Sequence, residues 1–384
     1  MDWNDGRRKA RLAETRLGHD WIVLGGLRRG ALRVGLGLLP LLIVASLYWR
    51  WDVHPEQRRL ADTQPQVNQI YDAADPENSS TAVVDLVGLG NVDAAPTART
   101  LTSFTAVGRV WSVRYDNRGL DTRVLSELIA ARARAANVNN VVLVGHSMGG
   151  VVALEVAQHI FQDSDRRLAG VVLDCTPLDL HAVRDESRDA GEELLRWIGW
   201  LPGARESRTL RAVVEMAARK DRFLDLESTW YPRIDLAAAQ AAWRQVMIDK
   251  ILNPSAASNG FIESQFRTIV ASGALDNLGA LSSSVDDQPR PTIVLMRPRY
   301  ASADHVVDND YSQRILFDSV GGPDSTLRVV RMDGTGHANP RQASGVYNAA
   351  IEARVIPVLE SSIVREQRSE VALDRVVRQP ISPR

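Results

Sequence analysis

Residues 141–144, Val-Val-Leu-Val, run into Gly145-His146-Ser147-Met148-Gly149, and an Ala/Val/Leu-rich stretch follows from Gly150. A bare Gly-x-Ser-x-Gly recurs by chance in many chains. Set between a buried strand and a helix, it is a nucleophile elbow, in which a sharp turn lifts a serine hydroxyl above the end of a sheet. The turn leaves no room for side chains beside the serine, and Gly145 and Gly149 meet that demand. The chemistry in view is acyl transfer through Ser147, with the backbone N–H of Met148 aimed at the same place.

A serine hydroxyl is inert at neutral pH, so an imidazole must take its proton, a carboxylate must orient the imidazole, and donors must hold the oxyanion. The chain has seven histidines. His19 and His54 precede the region of alternating strands and helices. His146 sits inside the elbow, and strand alternation turns it away from Ser147. His159 lies three turns further along the following helix, and His181 opens a helical region. His305 and His337 each follow an apolar, strand-like run. Cys175 is the single cysteine, which excludes an intrachain disulfide and a cysteine zinc cluster. At a strand end it reads as a buried thiol. No metal ligands cluster at a recognised spacing, and Gly88-Leu-Gly90 lacks the third glycine and helix start of a dinucleotide fingerprint. Neither a cofactor nor a metal is expected. A net charge of −1 gives no reason to expect a nucleic-acid partner.

The elbow resembles that of the α/β-hydrolase superfamily, and three further stretches extend the resemblance. Residues 110–119, Val-Trp-Ser-Val-Arg-Tyr-Asp-Asn-Arg-Gly, look like the strand and Asp-x-Arg-Gly turn before the helix that leads to the elbow. Residues 83–90, Val-Val-Asp-Leu-Val-Gly-Leu-Gly, look like the preceding strand and its oxyanion loop, with Val87-Gly88 where many members carry His-Gly. Residues 327–332 followed by Gly334-Thr-Gly336-His337 look like the last strand and the histidine loop. The resemblance covers 81–176 and 290 to about 365. It implies the chain order Ser, acid, His, which leaves His305 and His337, and the last-strand position selects His337 as base. It places the acid in the loop after the strand 292–296, where Asp304 is chosen over Asp308 and Asp310, which have capping roles open to them. Asp174 and Asp179 stand at the superfamily's other acid position. Backbone N–H groups of Leu89 and Met148 are the expected oxyanion donors. Asp85, Asp116 and Arg118 are expected to make structural hydrogen bonds.

The elements that must position these groups follow the same order. Strands are expected near 82–87, 109–115, 140–145, 169–174, 291–296 and 327–332, with helices near 121–136, capped by Asp121 or Thr122, and near 148–161. Strands alternating with helices imply a doubly wound, mostly parallel sheet, and their unbroken apolar runs imply cover on both faces. Between residues 177 and 288 the alternation gives way to helical patterns near 185–200, 204–220, 235–252 and 258–277. This reads as an inserted all-helical cap between core segments 81–176 and 289–366. Its aromatics, Trp197, Trp200, Trp230, Tyr231 and Trp243, are expected to fill a small cap core and, some of them, to line an apolar substrate tunnel. Residues 50–80 read as a linker, with the N-terminal sheet edge truncated, and 367–384 as a disordered tail.

The N-terminus differs in kind. Residues 1–33 hold eight arginines and lysines against four acidic residues, and 34–49 carry no charge. That run spans roughly 24 Å as a helix against a hydrocarbon core of about 30 Å. Snorkelling by Arg33 and Arg50 and a belt of Tyr48, Trp49 and Trp51 would close the gap. The expectation is a single-pass signal anchor at the cell membrane, with 1–33 cytoplasmic and the catalytic part outside. A cleaved signal peptide and an interfacial or buried helix are the alternatives.

The resemblance thus implies a serine hydrolase of the esterase or lipase kind. It would cleave a carboxylic ester through an acyl-enzyme on Ser147, and the large cap and anchor point to an apolar or lipid-like substrate. Acyltransferase or thioesterase chemistry on the same triad stays open, as does haloperoxidase-like or amidase chemistry. So does an inactive, anchored binding protein. Epoxide hydrolases and haloalkane dehalogenases carry Asp where this elbow carries Ser147.

Overall fold

The computed structural model describes residues 5–217, 219–225, 233–253, 256–282, 289–321 and 325–363. Trp230, Tyr231 and the tail expected at 367–384 lie outside them. The chain divides into two units, Met1–Arg58 and Arg59–Arg384.

The first unit holds a helix over Asp5–Ala13 and a 33-residue helix over Arg16–Tyr48, with Pro40 inside it. At 1.5 Å per residue the second is about 50 Å long. The helix therefore begins well before the uncharged run. Leu36, Leu39, Leu41, Leu42, Ile43 and Val44 are all exposed. By length and composition this helix is apolar enough to cross a membrane.

The second unit is built on a seven-stranded sheet. Its strands are β1 (Gln66–Tyr71), β2 (Thr81–Leu86), β3 (Arg109–Arg114), β4 (Asn140–His146), β5 (Arg167–Asp174), β6 (Thr292–Pro298) and β7 (Leu327–Met332). Their order is β1-β3-β2-β4-β5-β6-β7. Only β1 runs antiparallel, against β3; the other pairs are parallel. Every residue of β2, β4 and β6 is buried, as a sheet covered on both faces requires. The helices Thr122–Ala135, Met148–Asp163 and Asn309–Val320 contribute Leu125, Val152, Val156 and Leu316 to one apolar layer, and Tyr347, Ile351, Val355 and Leu359 build the other.

β1 lies inside the stretch expected to be a linker, so one edge strand precedes β2 there. Its burial alternates irregularly, with Gln66, Asn68 and Gln69 exposed, and a polar edge strand offers no apolar run to find. The inserted region also differs from expectation. Phe261, Phe266, Ala274, Leu278 and Leu281, from helices Asn259–Val270 and Ala274–Ser282, belong to the same apolar cluster as Val152 and Val156. These two helices therefore join the core against helix Met148–Asp163, and the cap proper ends before them. The cap's own apolar cluster is small: Ala212, Val246 and Ile251, flanked by Met216 and Met247. Its three described tryptophans are in neither expected place. Trp197, Trp200 and Trp243 are exposed, and none lines the cavity described below. A short pairing of Leu224–Asp225 with Arg233–Ile234 also interrupts the helical pattern.

Asp121 is the cap of helix Thr122–Ala135: its carboxylate accepts from the N–H of Arg123 and of Val124. The Asp121→Ala variant is therefore expected to lose about 1 kcal/mol of stability, as read by urea unfolding.

Candidate active site

Ser147 sits between the last residue of β4 and the helix Met148–Asp163, with φ 55° and ψ −125°. A side chain in this region of backbone space is strained, by about 1–3 kcal/mol. Packing holds it there. A Cβ on Gly149 would lie 2.3 Å from the carbonyl oxygen of Leu86, and one on Gly145 would lie 2.4 Å from that of Gly149. The Ser147 N–H donates to the carbonyl of Asp174 at 2.7 Å, which ties the turn to the end of β5.

Three elements bring partners to the serine. The loop after β7 places His337 Nε2 2.8 Å from Ser147 Oγ. The loop after β6 places Asp304 Oδ2 2.9 Å from His337 Nδ1. Asp304 is fully buried; its Oδ1 accepts from the N–H groups of Val306 and Val307, and its Oδ2 also accepts from Asn309 Nδ2 at 2.7 Å. Burial alone would raise this carboxyl, but the hydrogen bond and charge of His337 and the two amides outweigh it and hold it below the usual carboxylate range. The site thus keeps a carboxylate that accepts at both oxygens, an imidazole oriented by it, and a hydroxyl on the far nitrogen.

The other candidates are held elsewhere. Asp308 caps the helix Asn309–Val320 through the N–H of Asp310 and Tyr311, and Asp310 pairs with Arg297 at 2.6 Å. Asp179 caps a short turn and accepts from the Tyr311 hydroxyl. His305 is exposed, and His159 lies 3.6 Å from Asp163. Asp116 pairs with Arg118 and accepts from Thr63, a structural role as expected. The Cys175 thiol is buried, and burial with the charges of Asp174 and Asp304 pushes it well up, so it is no thiolate at neutral pH. Cys175, Asp304 and His337 also stand close enough to offer three ligands to one ion, but the hydrogen bonds among Ser147, His337 and Asp304 already occupy the imidazole and the carboxylate.

The loop after β2 leans directly on the elbow. A Cβ on Gly88 would lie 2.8 Å from the carbonyl oxygen of His146 and 3.1 Å from Ser147 Cβ. Gln265, fully buried on helix Asn259–Val270, braces this loop: its Oε1 accepts from the Gly90 N–H at 2.9 Å and its Nε2 donates to the Asn91 carbonyl at 3.2 Å. Met148 opens its helix, so its N–H is among those no helical carbonyl can reach. Leu89 lines the cavity over Ser147 and His337, about 390 Å³ in volume, with Val87, Val183, Phe266, Ile269 and Val306 as apolar walls and Asn91, Asp93 and Arg341 as polar ones. Asn309 and Gln265 went unread in the sequence because both act through residues that the fold alone brings near.

The profile of the alpha/beta hydrolase family matches residues 49–350. No curated protein matches the sequence. Among solved structures, a putative non-heme bromoperoxidase from Mycobacterium tuberculosis is 17% identical, covering 77% of this chain and 96% of its own at a TM-score of 0.45. An esterase from Exiguobacterium antarcticum is 16% identical, covering 77% and 96% at 0.46. A monoacylglycerol lipase from Paleococcus ferrophilus is 13% identical, covering 78% and 99% at 0.45. Similarity at that level says nothing of reaction or substrate.

The strained backbone at Ser147 has a measurable consequence. Ser147→Gly and Ser147→Ala both remove the hydroxyl, but only glycine relaxes a positive φ. Ser147→Gly is therefore expected to be the more stable of the two by about 1 kcal/mol, the reverse of the usual order, as compared by urea unfolding.

Proposed function

The chain belongs to the alpha/beta hydrolase family, and on that premise we propose that it is a serine hydrolase of carboxylic esters working through an acyl-enzyme on Ser147. The observation that carries the reading is the unbroken relay from Ser147 Oγ to His337 Nε2 and from His337 Nδ1 to Asp304 Oδ2. As Ser147 Oγ attacks the ester carbonyl carbon, its proton passes to His337 Nε2. Asp304 holds the imidazole in the tautomer with hydrogen on Nδ1 and stabilises the imidazolium that forms. The carbonyl oxygen takes the negative charge and is received by the N–H groups of Leu89 and Met148; one such donor contributes about 3 kcal/mol. The alcohol leaves with the proton from His337. Water then gives a proton to His337 and attacks the acyl carbon, and the acid departs from a regenerated Ser147.

The apolar walls of the cavity, Val87, Val183, Phe266, Ile269 and Val306, suit an apolar acyl group. The exposed apolar helix at the N-terminus supports a single-pass anchor at the cell membrane, with its arginine-rich start in the cytoplasm and the catalytic unit outside. Together they favour a lipid-like ester.

In detergent, the full-length protein is expected to bind a fluorophosphonate covalently at Ser147, with loss of fluoride. Ser147→Ala and His337→Ala should abolish labelling. Asp304→Asn, which leaves the imidazole in the wrong tautomer, should lower kcat by about 10⁴-fold. A folded wild type that takes no label would overturn the hydrolase reading. In a panel of p-nitrophenyl esters, kcat/KM is expected to rise from acetyl to medium-length acyl groups; a preference for short polar esters would remove the lipid-like assignment.

A further inference from the structure

Directly beneath the elbow lies a second imidazole between carboxylates that the relay above does not use. His146 ends β4 and is buried. Its Nδ1 stands 2.8 Å from Asp174 Oδ2 at the end of β5, and its Nε2 stands 3.5 Å from Asp85 Oδ1 on β2. Asp85 and Asp174 are also buried. Asp174 in turn accepts from the Tyr347 hydroxyl, 3.1 Å from each of its oxygens. The same hydroxyl accepts from the Asn339 N–H at 3.2 Å, and Asn339 Oδ1 accepts from the Gly336 N–H at 3.1 Å.

Those last two bonds bracket His337 on both sides. The Asp174 backbone, meanwhile, holds the Ser147 N–H. A single polar chain therefore runs from the residue before the nucleophile to the loop that carries the base. Both ends sit on strained backbone: φ is 55° at Ser147, 49° at Cys175 and 36° at Ala338. Torsions of that kind persist only where surrounding contacts over-determine them.

We propose that His146, bound to Asp174 and facing Asp85, is a positioning residue for the reaction, and that with Tyr347 it fixes the Ser147–His337 distance by locking the elbow to the histidine loop. The inference rests on the serine hydrolase reading given above. Removing either group leaves each half of the site intact but frees one against the other, and misplacement of about 1 Å can lower turnover by up to roughly 10²-fold.

The charges around His146 define a pH signature. Burial alone would lower the imidazole, but the charge of Asp85 and the hydrogen bond of Asp174 raise it to about 10. Burial pushes Asp85 up, against the pull of His146. Asp93 adds a further carboxylate near Asp85. Tyr115, beside Asp85, and Tyr347, beside Asp174, are pushed up by burial and stay neutral where His146 titrates; burial and the charge of Asp174 push the Cys175 thiol up as well. Because the folded value lies above the ordinary 6.5, the charged pair contributes its full stability below pH 6.5 and loses it as pH rises through about 10.

The test uses the full-length protein with Tyr347→Phe, His146→Gln and the double variant, assayed on one p-nitrophenyl ester with fold checked by thermal unfolding. Tyr347→Phe, which removes a single hydroxyl, is expected to lower kcat about tenfold at unchanged KM. His146→Gln should do at least as much, and the double variant should fall little further than the worse single one. Wild-type kcat should decline as pH approaches 10, a limb that His146→Gln lacks. If His146→Gln does not fold, Tyr347→Phe decides alone. Folded variants within twofold of wild type in kcat would overturn the inference while leaving the hydrolase reading in place. A wild type that neither turns over nor takes the fluorophosphonate label would instead overturn the reading on which it rests.

Discussion

The structure depends on holding one serine in a backbone conformation that serine disfavours. Ser147 at φ 55° cannot stay there through its own preferences, so its neighbours must be rigid and close. That requirement explains the glycines at 145 and 149, where a Cβ would meet backbone. It also explains why β2, β4 and β6 are buried throughout: a sheet covered on both faces has no freedom to let the turn relax. The helix that follows the serine is apolar almost all round, with Met148, Val151, Val152, Ala153, Leu154 and Val156 buried. It is anchored from the sheet side by Val141 and Leu143 and from above by Phe261 and Leu278.

The place of the site follows from the sheet order. Strand order reverses between β2 and β4, where β3 lies on one side and β5 on the other. Loops leaving the carboxyl ends of neighbouring strands diverge there and open a crevice. Leu89 follows β2, Ser147 follows β4, Asp304 follows β6 and His337 follows β7. Four groups widely separated in sequence converge because parallel strands deliver all their carboxyl ends to one rim.

This also decides what could be read from the sequence. The meeting of Ser147, His337 and Asp304 was legible because each sits in a loop just after a strand, so local pattern and chain order together bring them to one place. β2, β4, β5 and β6 were legible because burial on both faces writes itself as a nearly continuous apolar run; β7, with Arg328 and Arg331 exposed, was legible from the histidine loop that follows it. β1 was not, since an antiparallel edge strand with exposed Gln66, Asn68 and Gln69 looks like any polar segment. The extent of the cap was misjudged because Phe261, Phe266 and Leu278 lie on helices whose periodicity is the same whether they pack on the core or on one another; only the tertiary arrangement tells the two apart. Asn309 and Gln265 carry no pattern at all. Each acts by a single amide aimed at a neighbour distant in space or hidden in a loop.

Two imidazoles lie close to Ser147, and their surroundings sort them. His337 keeps part of its ring open to the cavity, with a side-chain exposure of 21%, and has a single carboxylate as partner. His146 has 5% exposure and a carboxylate at each nitrogen. A base must be able to release the proton it has taken, and an imidazole clamped between two buried carboxylates releases it reluctantly. The same chemistry that makes His146 unfit as a base makes it a fixed point. A buried ion pair contributes little net stability once desolvation is counted, and the best-attested use of such pairs is to specify one arrangement over others. Here the arrangement specified is the alignment of three strand ends, those of β2, β4 and β5, on which the geometry of the elbow stands.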